Sequence, residues 1–309
     1  MTSTLYVTRG RRRRRNLMIV LALALAGITS WKAADALAPA GAASSGHGHA
    51  WASMAWPAQG AAAAAVGSGR IHSSGGTRPV PIASLAKVMT AVVVLRGRPI
   101  SAQDPGFTIT ITSDDVADTE RRRSDGQSVV AVVAGEKLTE RQALQALLLP
   151  SANNIAMALA RAVSGTADAF VDEMNAEARR VAMTSTVYTD PSGYDPSTVS
   201  TARDQLRLAR AAMSIDAFAE IVAEPDADIP QTGVVYNTDE LIGRDGFVGI
   251  KTGSDTAAGG CFMFAARGQS SRRLVYGVVL GQRDGPLIPA GLKAGQRLAD
   301  SVRSAFGMG

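Results

Sequence analysis

The chain has 309 residues, 46% of them hydrophobic, and a formal net charge of +5. That is enough apolar material for one large or two small domains with a sizeable core, and it excludes a globally disordered chain. Arg11 to Arg15 alone supply five positive charges, so the remainder is near neutral and the high pI does not point to a nucleic-acid partner. The single cysteine, Cys261, excludes an intrachain disulfide and leaves export neither required nor forbidden.

Residues 1–15 form a basic N-terminal segment, followed by an uncharged stretch, 16–31, with an apolar heart at 17–28. A basic flank before a short apolar run is the pattern of an export signal. Sixteen uncharged residues fall short of the ~20 that comfortably span a bilayer. A cleaved signal peptide and a retained signal anchor both stay open. Ala36-Leu37-Ala38 and Ala38-Pro39-Ala40 resemble cleavage sites, although Pro39 opposes a cut directly after Ala38. Either outcome leaves the rest outside the cytoplasm, secreted or anchored to the membrane through the N-terminal segment. Twin-arginine export fits less well, because Asn16, Leu17 and Met18 follow the arginines. Residues 32–52, rich in Ala, Ser, Gly and His, read as a flexible linker. His47-Gly48-His49 lies in it with no carboxylate or cysteine nearby, so no metal site is expected there. The folded domain is expected over 53–309, with a helical subdomain at about 110–235.

Within that domain, residues 61–66 and 70–73, separated by Gly67-Ser68-Gly69, predict a β-hairpin. The run from Ala83 to Leu95 is mostly apolar and too long for a typical buried strand, so it predicts a buried helix. Phe107, Ile109 and Ile111 alternate with threonines, a short half-buried strand. Arg121-Arg122-Arg123 follows four acidic residues and reads as a solvated, locally paired loop, a recognition patch being the other reading. Helices are expected from Thr139 to Pro150, from about Ile155, over 167–182, and after a Thr201 cap with Asp204 in the first turn. Asp190-Pro191-Ser192-Gly193 is a turn. Runs at 247–253, 260–266 and 274–281 are separated by turn residues and predict antiparallel strands. An amphipathic helix at 290–306 closes the chain. The sum is an α+β fold: about five strands in an antiparallel sheet flanked by helices, with the helix-rich middle inserted between two groups of strands.

The chemistry starts from Ser84 and Lys87, three apart at the start of the buried helix, where both side chains share a face. A serine nucleophile needs a base. Histidine is the usual one, but His47 and His49 lie in the linker and His72 in the hairpin. Lysine is then the available base, provided burial or a second cation lowers its pKa. Lys251 is a candidate for that cation. Lys251-Thr252-Gly253 on a strand can hold a carboxylate, or can simply be a strand entering a turn. Ser151-Ala152-Asn153 alone is an inter-helix turn. The informative feature is the set, S-x-x-K, S-x-N and K-T-G in that order, each in the local context that penicillin-binding proteins and β-lactamases require.

With these residues the sequence resembles the low-molecular-weight penicillin-binding proteins that act as serine-type D-alanyl-D-alanine carboxypeptidases. Residues 81–91 (PIASLAKVMTA), 135–136, 147–154 (LLLPSANN), 201–204, 249–253 and 258–259 carry the resemblance, which extends from about residue 55 to the end. It implies a β-lactamase/transpeptidase-like fold, a five-stranded antiparallel sheet beside an all-helical subdomain, with the site in the cleft between them. It implies Ser84 as nucleophile toward a peptidoglycan stem peptide ending in D-Ala-D-Ala, and Lys87 as base. Ser151 would relay the proton, and Asn153 would bind the substrate amide and orient Lys87. Lys251 and Thr252 would bind the terminal carboxylate beside Gly253, and the N–H groups of Ser84 and Ser254 would form the oxyanion hole. No cofactor or metal is implied, and β-lactams would be covalent inhibitors. Asn154 stands where many relatives carry Asp, a change expected to bear on the inter-helix joint. The chain ends about 56 residues after Gly253, so any anchor is expected at the N-terminus. Arg272 or Arg273 is a candidate for the carboxylate, and Cys261 is expected in the core. A class A β-lactamase is disfavoured, since no E-x-x-L-N occurs between Asn154 and Ile250. A DD-endopeptidase and a non-turnover β-lactam or cell-wall sensor are the alternatives.

Overall fold

A computed structural model of the chain describes residues 50–268 and 273–308. The basic segment, the apolar stretch 16–31, His47, His49 and Arg272 lie outside the described residues. Among the described residues no helix is long and apolar enough to cross a membrane. Two compact units are separated between Ala52 and Ser53. Of the first, only residues 50–52 are described. They are helical, where a linker is expected, and Trp51 is buried.

The second unit begins with β1 (Ala61–Val66), β2 (His72–Gly75) and β3 (Val80–Pro81). A 3-10 turn over Ala83–Leu85 then leads into α1 (Ala86–Gly97). Every residue of α1 from Ala86 to Leu95 is buried, which explains its lack of an amphipathic pattern: this helix is the centre of the second unit. β4 (Thr108–Thr110) follows, then α2 (Ser113–Ser124). The predicted arginine loop is therefore the last turn of a helix. Its start is fixed by a capping box in which Thr112 Oγ1 accepts from Asp115 N and Asp115 Oδ2 accepts from Thr112 N. The local pairing does hold, since Arg121 and Arg122 pair with Asp118 and Arg123 with Glu120.

The helical region continues through β5 (Lys137–Thr139), α3 (Glu140–Leu148), α4 (Asn153–Ser164) and α5 (Ala167–Arg180). After β6 (Val199–Ser200), α6 (Ala202–Met213) is capped by Thr201 as expected, its side chain accepting from Asp204 N. Helix α7 (Asp216–Val222) and the hairpin β7 (Asp226–Ile229) and β8 (Gly233–Tyr236) have no counterpart in the expectations. Three long strands follow, β9 (Phe247–Asp255), β10 (Gly259–Arg267) and β11 (Leu274–Gln282), and then α8 (Leu287–Ala305).

The five-stranded sheet has the order β2-β1-β11-β10-β9, antiparallel throughout. The early hairpin thus joins the C-terminal strands through β1 and β11, and the α+β expectation holds. Strand alternation divides the sheet's two faces. On β10, Cys261, Met263 and Ala265 join the core shared with the helical region. Phe262 and Phe264 point the other way, where Gly295 of α8 leaves them room. Phe247, Phe262 and Phe264 form an aromatic cluster there with centroids 5.5–6.2 Å apart. The order makes β9 an edge strand beside the helical region, and places β2 at the opposite edge.

Candidate active site

Four segments converge at the start of α1. Ser84 sits in the 3-10 turn and is the only partly exposed residue between Ile82 and Leu95. Ala83 before it has φ +45°, a left-handed conformation costly for a residue with a Cβ. Lys87, one turn on, is fully buried, and its Nζ lies 2.7 Å from Ser84 Oγ and 3.1 Å from the Ser192 carbonyl oxygen. Burial first and the like charge of Lys251 second hold the Lys87 ammonium well below its usual pKa. Asp190 pulls the other way, and Arg122 adds a smaller downward push. An amine with a lowered pKa, 2.7 Å from a hydroxyl, is placed to accept its proton.

The second segment is the turn at residues 190–194. Asp190 organises it: Oδ2 accepts from Ser192 N, Ser192 Oγ and Tyr194 N, and Oδ1 from Gly193 N and Thr198 Oγ1. Thr90 Oγ1 of α1 donates to Pro191 O at 2.6 Å. Gly193, at φ +78°, lies so close to the nucleophile turn that a Cβ would sit 1.9 Å from Ala83 O. Sequence reasoning identified a turn here but not its role in holding Lys87. The signal was an Asp followed by three free N–H groups, the pattern of an Asx turn.

The third segment is the joint between α3 and α4. Ser151 has φ +67°, and its buried Oγ has no hydrogen-bond partner among the described residues. Asn153, expected to orient Lys87, instead donates its amide to Gln127 Oε1 at 2.8 Å; the Lys87 hydrogen bonds run to Ser84 and Ser192. Asn154 turns away from the cleft. It donates to Thr119 Oγ1 and Val130 O, both at 3.0 Å, and accepts from Val130 N. It is a joint residue, as its departure from the family pattern suggested.

The fourth segment is β9. Lys251 is fully buried, its Nζ has no hydrogen-bond partner among the described residues, and burial pulls its pKa down to about 7 against the opposing charge of Asp239. Burial raises the Asp239 carboxyl to about 6. Thr252 Oγ1 lies 2.6 Å from Thr238 Oγ1, and Thr238 N donates to Leu149 O. That chain ties K-T-G to the S-x-N joint. Thr238 and Asp239 were not anticipated, because the stretch that carries them has no strand or helix pattern. At Gly253 a Cβ would lie 3.1 Å from both Ser84 N and Leu85 N. The glycine therefore admits the protein's own nucleophile turn, where a ligand's backbone was expected. Ser254 pairs with Gly260 near the end of β9. As an edge strand, β9 has one row of N–H and C=O groups turned away from β10.

Three other expectations resolve. His72 lies on β2, four strand spacings or about 19 Å from β9, too far to serve Ser84. Arg273 lies beyond the Arg267 end of β10, five residues or about 17 Å along the strand from Met263, the partner of Lys251. It is misplaced as a carboxylate ligand. Arg283 is at the correct end, donating to Thr256 O and Ala257 O in the turn after Ser254. Cys261 is buried core, its thiol pushed up to about 12.

Comparison with known proteins agrees with this geometry. The family model described as D-alanyl-D-alanine carboxypeptidase matches residues 53–284. The chain is 39% identical over 208 residues to a D-alanyl-D-alanine carboxypeptidase, DacB2, of Mycobacterium tuberculosis, covering 65% of this chain and 67% of that protein. It is 32% identical over 192 residues to a D-alanyl-D-alanine endopeptidase of Pseudomonas aeruginosa, covering 60% and 58%. Among solved structures, the Streptomyces K15 DD-transpeptidase is similar with a TM-score of 0.69 at 26% identity, over 82% of this chain and 99% of that one.

Proposed function

The chain belongs to the D-alanyl-D-alanine carboxypeptidase family of serine peptidases, and from that premise we propose that it removes the terminal D-alanine from peptidoglycan stem peptides. The observation that carries the reading is the buried Lys87 amine 2.7 Å from the hydroxyl of Ser84. The substrate strand lies along the free edge of β9, as an added strand would. Its terminal carboxylate meets Lys251 and Thr252, with Arg283 adding positive charge behind Ser254. Ser84 Oγ attacks the carbonyl carbon of the penultimate D-alanine while Lys87 takes the hydroxyl proton. The developing oxyanion is held by the N–H groups of Ser84 and Ser254. The C–N bond breaks, and the leaving amine receives a proton through Ser151 Oγ. Asn153 holds the substrate amide. Water then attacks the acyl-enzyme and releases the shortened peptide and free Ser84. A β-lactam follows the same first step and stays attached. No step calls for a metal or cofactor. The basic segment and apolar stretch at the N-terminus support action outside the cytoplasm, in the cell envelope, with or without an N-terminal anchor.

A DD-endopeptidase uses the same residues on cross-linked peptides, and the Pseudomonas relative carries that name. The test is to incubate the protein with labelled penicillin, with a peptide ending in D-Ala-D-Ala, and with cross-linked muropeptides. We expect a penicilloyl adduct on Ser84, lost in Ser84→Ala, and release of free D-alanine. An adduct elsewhere, or none, refutes the mechanism. Cleavage of the cross-linked muropeptides alone assigns the endopeptidase reading, and an adduct with no cleavage of either substrate assigns a sensor.

A further inference from the structure

Three consecutive arginines end α2, but they are not equivalent. The side chains of Arg121 and Arg123 are 67% and 48% exposed, whereas that of Arg122 is 16% exposed. Arg122 Nε donates to Asp118 Oδ2 at 2.5 Å, and its terminal nitrogen donates to Gln127 Oε1 at 3.1 Å. The same Oε1 accepts from Asn153 Nδ2 at 2.8 Å. The backbone closes the unit: Gln127 N donates to Arg122 O, and Asn153 N donates to Ser128 O.

The chemistry of these groups fixes a polarity. A guanidinium has donors and no acceptor, so the atom of Gln127 that faces it is the oxygen. An oxygen that also faces Asn153 requires the Asn153 NH2 to point at it. The Asn153 carbonyl oxygen is then on the far side of its planar amide, free as an acceptor. Without the guanidinium, the Gln127 amide gains an equivalent orientation with its NH2 toward Asn153. Asn153 would then turn over and offer a donor where an acceptor stood.

We infer that Arg122 and Gln127 are positioning residues that set the polarity of Asn153, so that it presents an acceptor to the substrate amide. The inference rests on the proposed role of Asn153. Arg122 also acts by charge. The charged groups facing Lys87 are Lys251 from β9, Asp190 from the turn after α5, and Arg122 from α2. Arg122 therefore adds a downward push on the Lys87 pKa, in addition to orienting the amide.

The test is the pH profile of acylation by a fluorescent penicillin, with kcat and KM for D-alanine release and a melting temperature for each full-length variant. Gln127→Met removes the shared oxygen and keeps Arg122. We expect the plateau acylation rate to fall roughly tenfold or more, as misplacement of a site group does, with the acid limb unmoved. Gln127→Glu accepts from both neighbours and keeps the plateau rate, while its negative charge moves the acid limb to higher pH. Arg122→Met lowers the plateau and also moves the acid limb to higher pH; Arg122→Lys returns the limb toward its original position. A structural role alone moves the melting temperature and leaves the limb in place. A wild-type plateau in Gln127→Met, or an unmoved limb in Arg122→Met, overturns the inference. If Asn153→Ala lowers acylation while Gln127→Met does not, the relay fails and the catalytic reading stands. If Asn153→Ala acylates as the wild type does, there is nothing to position, and both fail.

Discussion

Gly193→Ala tests whether the turn at 190–194 holds the catalytic lysine in place. The added Cβ would sit 1.9 Å from Ala83 O, about 1.5 Å short of ordinary van der Waals contact at 3.4 Å. Both sides are backbone, so no rotamer change relieves the clash. The turn is pinned by five hydrogen bonds to the Asp190 carboxylate and by Thr90 on Pro191 O. The displacement therefore falls on the junction between the turn and α1, where Ser192 O holds Lys87 Nζ at 3.1 Å. A retreat of about 1.5 Å puts that oxygen beyond hydrogen-bond reach. Misplacement by about 1 Å can cost roughly 100-fold in rate, and that is the expected fall in acylation. The stability cost is about 1–3 kcal/mol for the left-handed φ and about 1–3 kcal/mol for overpacking. Gly165→Ala is the control: φ is +79° against +78°, and nothing lies within 4 Å of its Cβ. It should lose only the strain part and acylate as the wild type does. Penicillin acylation by stopped flow, with melting curves for both variants, decides the matter. Wild-type acylation in Gly193→Ala, or equal losses in the two variants, would refute the reasoning.

Two further outcomes follow from the same site. Lys251→Gln removes a cation that opposes the charged form of Lys87. The Lys87 pKa rises, so the acid limb of acylation moves to higher pH. Burial holds the Lys251 pKa at about 7, so the wild type is expected to lose acylation as that cation deprotonates above this pH, and the variant is expected to show no such alkaline limb. A pH–rate profile with neither limb moved would show that the two lysines act independently. Asn154→Asp loses the donor that reaches Val130 O and Thr119 Oγ1. It should cost about 1–3 kcal/mol of stability, seen as a lower melting temperature, with acylation by the folded protein near wild type. An unchanged melting temperature would contradict the assignment of Asn154 to the joint.

The sheet, the central helix and the three site motifs were legible because each rests on a local pattern. The runs at 247–253, 260–266 and 274–281, set apart by turn residues, gave β9 to β11 to within two residues, and the mostly apolar run around and after Ser84 gave α1. What escaped depends on contacts between distant segments. Ser192 acts through a backbone carbonyl, which no side-chain motif records. Asp239 matters because burial and Lys251 surround it, and its neighbours in sequence report neither. Arg122 was read with Arg121 and Arg123 as a solvated run. That holds for its neighbours and fails for it, because successive helical residues differ by about 100° in direction. The Thr112–Asp115 capping box was present in the sequence and would have marked a helix start from which the arginine run continues.

The two glycines nearest Ser84 explain how the nucleophile is held without a side chain to grip it. Gly193 brings one backbone against Ala83, and Gly253 brings another against Ser84 N and Leu85 N. Between them the 3-10 turn is held on two sides by main chain, which has no rotamers to change. The left-handed Ala83 persists under that clamp, since an isolated turn would relax it. The side chains are then free for chemistry. Lys87 needs no ion-pair partner within the turn, because the same segment that clamps Ala83 supplies its Ser192 acceptor. The glycine of K-T-G thus acts before any substrate arrives: it sets the distance between β9, where the substrate carboxylate is proposed to sit, and the hydroxyl of Ser84.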